Sequence, residues 1–243
     1  MEVIAGRRRL ALDHTALAAL RSGFREVWLD LGTGNGVFAY DAARRHPDVL
    51  VIGVDTNRDN LREYSAKARR KPARGGLPNV LYVIAAAERL PEELAGVAAH
   101  VFVNFPWGTL LRGLVAPDPA LLAEIRRAGG AEARLSLLLN FTLFTDEALV
   151  ETLALPTVTR DYVERVLAPA YAAAGIAITE VKVLGPAGVP YRTEWGQRLT
   201  VAGSRETLQV EASMRAWPDT LRGTGDVPPL DVRLEREDGG TQR

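Results

Sequence analysis

Val27-Trp28-Leu29-Asp30-Leu31-Gly32-Thr33-Gly34-Asn35-Gly36 decides how this chain folds. An apolar run of one strand's length breaks into three glycines spaced two apart, and a helical pattern follows from Val37. That is a strand, a tight turn and a helix start, where backbone N–H groups can face a ligand at close range. The dinucleotide fingerprint G-x-G-x-x-G is similar but fails here, because Val37 stands where its third glycine would fall.

Outward from this stretch, strand and helix patterns alternate. Upstream, residues 2–4 and 7–12 read as a short hairpin, and Asp13 caps a helix over 14–22 with Leu17 and Leu20 on its buried side. Downstream, strands are expected over 49–54, 80–84, 100–105, 131–140 and 176–184. Helices are expected over 36–46, 57–71 (capped by Thr56 or Asn57), 120–128 and 159–174. Apolar runs separated by helices predict an α/β fold, a mostly parallel sheet covered on both faces. A final pair, 197–202 and 207–213, joined by Gly203-Ser204-Arg205, reads as an antiparallel hairpin, and the fold expected is a seven-stranded sheet with an antiparallel end. The chain therefore divides into an N-terminal hairpin and helix (1–24), a core with inserts (25–215) and a loosely held tail (216–243) rich in Pro, Gly and charge.

Composition narrows the chemistry. With 243 residues, 47% apolar and 25% charged, the chain can bury a substantial core. It has no cysteine, so disulfides, thiolate metal sites and a cysteine nucleophile are excluded. His14, His46 and His100 show no metal-ligand spacing, so no metal is expected. No run approaches the ~18 apolar residues of a membrane span, and the first residues do not begin a signal peptide, so a cytoplasmic protein without a membrane partner is expected. Thirty basic residues balance thirty acidic ones, so any nucleic-acid surface must be a local patch.

Open α/β sheets bind ligands at the carboxyl ends of their strands, so residues at those ends belong together. Asp30 and the glycine turn come first. Asp55, 25 positions on, can accept both hydroxyls of a ribose, and equally can cap the helix that follows. Ala85-Ala86-Ala87-Glu88 offers a small-residue strand end that a flat base can approach. Asn104-Phe105-Pro106-Trp107-Gly108-Thr109 places an aromatic on a proline-stiffened turn. Arg62, Lys67, Arg69, Arg70, Lys71 and Arg74 crowd the helix over 57–71 and its exit, and Arg7-Arg8-Arg9 lies in the first hairpin. Both suit phosphate contacts, although basic runs are also ordinary solvated faces. Tyr191-Arg192-Thr193-Glu194-Trp195-Gly196-Gln197-Arg198 reads as a long loop that presents a tryptophan between arginines.

The G-x-G-x-G spacing after Asp30 resembles the first motif of class I S-adenosylmethionine (SAM) methyltransferases, and the seven strands resemble their Rossmann-like fold. Asn104-Phe105-Pro106-Trp107 resembles the [Asn/Asp]-Pro-Pro-aromatic motif of methyltransferases that modify base nitrogens. The whole set is similar to the aminoglycoside-resistance 16S rRNA (adenine(1408)-N1)-methyltransferase family. The likeness rests on 29–34, 71–80, 85–91, 105–111 and Thr193-x-Trp195-x-x-Arg198-Leu199, and covers most of residues 1–213.

That resemblance implies SAM as methyl donor, with S-adenosylhomocysteine as product, and the 30S subunit as substrate of a monomeric enzyme. It implies cofactor contacts by Asp30, Gly32, Thr33, Gly34, Asn35, Asp55, Thr56, Ala87, Glu88, Asn104, Pro106 and Thr109. It implies a flipped adenine between Trp107 and Trp195 beside Pro106, and rRNA contacts by Arg7, Arg8, Lys67, Arg70, Lys71, Arg74, Thr193, Arg198 and Arg205. Two positions depart from the family pattern. Asn35 stands where Asp is usual, removing a negative charge near the sulfonium, and Asn104 where an apolar residue is common. The readings that compete with it are a tRNA guanine-N7 methyltransferase and a non-catalytic RNA-binding protein of the same fold.

Overall fold

The core strands are apolar on both faces because each face packs against helices. In β4 (Val49–Asp55), Leu50, Ile52 and Val54 enter one buried cluster while Val49 and Val51 enter another on the opposite side. The first cluster also takes Leu17 of α1 (His14–Arg21), Leu111 and Leu114 of α4 (Gly108–Val115) and Leu121, Leu122 and Ile125 of α5 (Pro119–Ala128). The second takes Phe38, Ala39 and Tyr40 of α2 (Val37–Arg45) and Leu61 and Ala68 of α3 (Arg58–Ala68). Each fully buried large aliphatic side chain contributes about 1.5–3 kcal/mol. The computed structural model describes residues 1–145, 147–185, 206–214 and 230–234.

Four central strands, β3 (Glu26–Leu31), β4, β5 (Val80–Ile84) and β6 (Ala98–Asn104), are parallel, as is β7 (Gly129–Asn140) beside β6. β9 (Thr207–Ser213) runs antiparallel between β7 and β8 (Ala177–Leu184). At the other edge the hairpin of β1 (Glu2–Ala5) and β2 (Arg8–Ala11) extends the sheet, with Val3 antiparallel to Val83. With β10 (Asp231–Arg233) beside β8, all described strands join one sheet in the order β10-β8-β9-β7-β6-β3-β4-β5-β1-β2. The expected seven-stranded α/β core is therefore present, but the sheet has ten strands among the described residues.

Two sequence expectations need correction. Residues 207–213 do not form a hairpin with 197–202, because both edges of β9 are occupied along its length by β7 and β8. Residues 197–202 lie outside the described residues. Within the stretch expected as a loose tail, β10 pairs parallel to β8, with Val232 buried. Three residues are too few for a periodicity to register, so this edge strand was invisible in the sequence.

Local chemistry explains the helix ends near the site. Asn57 caps α3 by accepting from Asp59 N at 3.0 Å. Helix α2 begins at Gly36, which holds φ +83°. A side chain there meets two obstacles: the left-handed backbone, and the ring of fully buried Tyr82, whose hydroxyl donates to Gly36 O at 2.9 Å. Gly36→Ala is expected to destabilise the fold by about 2–5 kcal/mol, from left-handed strain plus overpacking. Thermal unfolding should show a midpoint lowered by roughly 10 °C, and an unchanged midpoint would refute this account of the turn.

Candidate active site

The carboxyl ends of β3, β4, β5 and β6 converge where the strand order reverses, with β4 and β6 on opposite sides of β3. At the end of β3 the carboxylate of Asp30 is buried beneath the glycine turn. It accepts from Thr33 Oγ1, and from Asn104 Nδ2 at 3.2 Å. Gly32 N and Thr33 N both donate to Val54 O, at 2.9 and 3.0 Å, which ties the turn to β4. Asp30, Thr33 and Asn104 thus form a layer under the turn and do not line the open cleft. Asn35 is also off the cleft. Its Oδ1 accepts from Val37 N at 3.1 Å and so supports the first turn of α2.

Burial pushes the Asp30 carboxyl up to about 7, and the nearby charge of Asp55 acts in the same direction; bonds from Thr33 and Asn104 oppose the rise. Because the folded value lies above the ordinary 3.8, the native state keeps a proton that the unfolded chain loses between those pH values. Stability from that proton is complete below pH 3.8 and lost as pH rises through about 7. Unliganded protein should therefore lose about 2–3 kcal/mol between pH ~5 and ~8 through this group. Asp30→Asn should remove that share, since the Asn104 amide can reverse to meet the new amide. Urea unfolding of both forms across this range tests it, and parallel pH profiles would contradict it.

The cleft itself, about 260 Å³, is lined by Gly32, Gly34, Asp55, Thr56, Ala87 and Glu88 on one side of the reversal and by Pro106, Trp107 and Thr109 on the other. Asp55 Oδ2 accepts from Gly34 N at 2.9 Å and Oδ1 from Asn57 N at 2.8 Å. The side-chain cap of α3 is Asn57, which leaves Asp55, with its remaining lone pairs, facing the cleft. Glu88 Oε1 accepts from Thr109 Oγ1 at 2.7 Å and bridges the two sides. At Gly34 an added Cβ would meet no protein atom within 4 Å, so the backbone there is open to a close-fitting ligand.

Phe105 adopts φ +49°, and this left-handed residue turns the chain so that Pro106 and Trp107 face the cleft. Trp107 is 42% exposed, a large apolar side chain at the mouth of a pocket. Sequence reasoning missed the conformational role of Phe105 and the lining residues Val54, Asn60 and Leu110. Asn60, on the first turn of α3, carries no motif signal.

The basic residues gather along α3. The turn of the first hairpin is tied to that helix by Gly6 N donating to Ser65 Oγ at 2.9 Å and Arg58 donating to Arg7 O at 3.0 Å. Arg7 and Arg8 are exposed beside it, and Arg70, Lys71 and Arg74 are exposed beyond its end. Arg62 pairs with Asp59 at 3.1 Å. Lys67 is already engaged, its ammonium 4.3 Å from the centre of the Tyr40 ring and 5.2 Å from that of Tyr64. Thr193, Trp195, Arg198 and Arg205 lie outside the described residues. Among the described residues no cluster could hold a metal ion, and no helix is long and apolar enough to cross a membrane.

Comparison with known proteins gives the site its context. The family model NpmA: 16S rRNA (adenine(1408)-N(1))-methyltransferase matches residues 2–214. The 16S rRNA (adenine(1408)-N(1))-methyltransferase of Streptoalloteichus hindustanus is 37% identical over 213 residues, covering 87% of this chain and 97% of that protein. The structure of the aminoglycoside resistance methyltransferase NpmB1 is 37% identical and superimposes with a TM-score of 0.75 over 87% of this chain and 98% of that one. A mutant of the 16S rRNA (adenine(1408)-N(1))-methyltransferase from Catenulisporales acidiphilia, solved with cosubstrate SAM, gives 31% identity and a TM-score of 0.80 over 90% of this chain and 99% of that one. A tRNA (guanine-N(7)-)-methyltransferase of Anaeromyxobacter dehalogenans matches over 38% of this chain and 54% of its own length, 32% identical. With its match spanning nearly the whole of the rRNA-modifying relatives and the reversal-point cleft in place, the chain belongs to the family of 16S rRNA (adenine(1408)-N(1))-methyltransferases.

Proposed function

We propose that this chain methylates N1 of adenosine 1408 in 16S rRNA of the 30S subunit, using SAM, and so confers aminoglycoside resistance. The observation that carries the reading is the single cleft that joins the glycine turn and Asp55 to the Pro106-Trp107 turn in a member of this family. The residues present fit SAM. Asp55 can accept the ribose hydroxyls, Gly34 leaves room for close approach, and small Ala85 and Ala87 leave a flat face for adenine. Bound SAM supplies an electrophilic methyl group.

Adenine N1 carries a free lone pair at neutral pH, so no residue must first remove a proton. The chain's task is then to hold the base in line with the methyl group, and good positioning alone can supply about 7–11 kcal/mol. Trp107 offers a face for the flipped base, and Trp195 would supply the other. Stacking at about 1–3 kcal/mol per base offsets the cost of extrusion. Asp30, Thr33 and Asn104 act as supports that fix the turn. Exposed Arg70, Lys71 and Arg74, with Arg7 and Arg8, are assigned to rRNA phosphates, and Lys67 to anchoring the 70–76 loop. The enzyme is assigned to the cytoplasm, where its 30S substrate lies, as a monomer.

Reverse transcription of 16S rRNA from cells expressing the chain tests the reading. N1-methyladenine blocks pairing, so a new stop is expected next to position 1408; its absence, with a stop in tRNA instead, would shift the reading to tRNA. Calorimetric titration with SAM separates an enzyme from a non-catalytic RNA-binding homologue, which would give no binding.

A further inference from the structure

A second cavity, of about 190 Å³, lies under α2, lined by Phe38, Ala42 and Arg45 of that helix and by His46 after it. Its walls are ring systems. His100 stacks on Phe102 with centroids 3.8 Å apart, Trp28 lies 5.4 Å from Phe102, and His46 lies 4.7 Å from Trp28. Exposed Arg45 and Arg134 stand at its rim, and among the described residues no acidic side chain lines it. The indole N–H of Trp28 is buried without an acceptor, which is rare enough to need an explanation. Burial and the charge of Arg134 push His100 down to about 3, so this ring is a neutral wall. Its Nε2 is 2.7 Å from Ser136 Oγ, which in turn donates to Glu211 at 2.6 Å. That serine is buried and held on both sides, so the trio has no nucleophile to offer.

We propose that this cavity binds a planar aromatic carboxylate with a single ring. The volume sets the size: it is somewhat larger than the roughly 150 Å³ that holds benzene and below the roughly 300–1,000 Å³ of drug-sized sites. The aromatic walls favour a flat ring. Two guanidinium groups at the rim, with no opposing acid among the described lining residues, favour a carboxylate, whose geometry matches the fork of arginine. The site shares no lining residue with the cofactor cleft. It does not depend on the methyl-transfer reading.

Titration of the ¹⁵N-labelled full chain with sodium benzoate, read through the four indole N–H signals, tests this. The Trp28 signal, identified by its loss in Trp28→Phe, should shift to saturation while the signals of Trp107 and the other tryptophans stay in place. Arg45→Ala and Arg134→Ala should each weaken binding about ten-fold, as should replacing benzoate by benzyl alcohol. Both arginine variants alter exposed side chains, so their unchanged spectra would certify folding. A Trp28 signal that never saturates overturns the site. Full affinity in both arginine variants overturns the carboxylate, and competition by SAM overturns the separation from the cofactor cleft.

Discussion

Trp107→Ala should reduce methylation of 30S subunits by at least about a hundred-fold while SAM affinity stays within a few-fold. The residue stands at the cleft mouth, 42% exposed, and follows the left-handed Phe105 that turns it inward. It is the N-cap position of α4 but makes no side-chain cap there, so its removal costs the helix little. The expected loss has two sources: one stacking face, worth about 1–3 kcal/mol, and the misplacement of a base that must sit in line with the methyl group. SAM titration and a methyl-transfer assay on the same variant decide the matter. Full activity would return Trp107 to a packing role; lost SAM binding would place it in the cofactor site instead.

Why was so much of this cleft legible beforehand? Its members sit at strand ends, where turn chemistry leaves a mark in the sequence: glycines at Gly32, Gly34 and Gly36, an acid at Asp55, a proline at Pro106. What the sequence hid was depth. Asp30, Thr33 and Asn104 share motifs with lining residues, yet a strand's alternation turns Asp30 and Asn104 to the face that α2 covers. They therefore support the turn instead of touching the open space. In the sequence Asn35 stands out for the charge it lacks, whereas its side chain serves the helix start. Strand pairing was legible only where both partners were long. β10 has three residues, and β9 has the same alternation whether it pairs with a hairpin neighbour or is sandwiched between β7 and β8. Lys67 shows the limit for charge runs: sequence counts it with its basic neighbours, but the rings of Tyr40 and Tyr64 hold it.

Charge reversal at Lys71 and Arg74 together should weaken 30S binding by at least about a hundred-fold, each phosphate bond forgone being worth about 1.5–3 kcal/mol, without altering SAM affinity. These side chains are exposed on a loop that is already fixed. Gly76 N donates to Lys71 O at 3.2 Å, Leu77 N to Ala68 O at 2.8 Å, and Tyr40 donates to Gly75 O at 2.6 Å. A fixed loop loses little entropy on docking, so its cations should count nearly in full. Their place also sets the size of the substrate. α3 starts at the cleft, where Asn60 lines it, and runs back along the sheet, so Lys71 and Arg74 follow its far end. Eleven helical residues span about 16 Å, and the basic flank is therefore well removed from the base pocket. An RNA hairpin copying the target could fill the cleft yet fail to reach that flank, whereas a folded ribosomal surface can touch both. Intact 30S subunits should be methylated efficiently and the isolated hairpin poorly. For the reversed variant the salt dependence of 30S binding should flatten by about 0.9 for each phosphate that is no longer neutralised. Equal rates on hairpin and subunit, indifferent to the reversal, would mean that the cleft reads a small substrate alone and that the basic flank is only a solvated face.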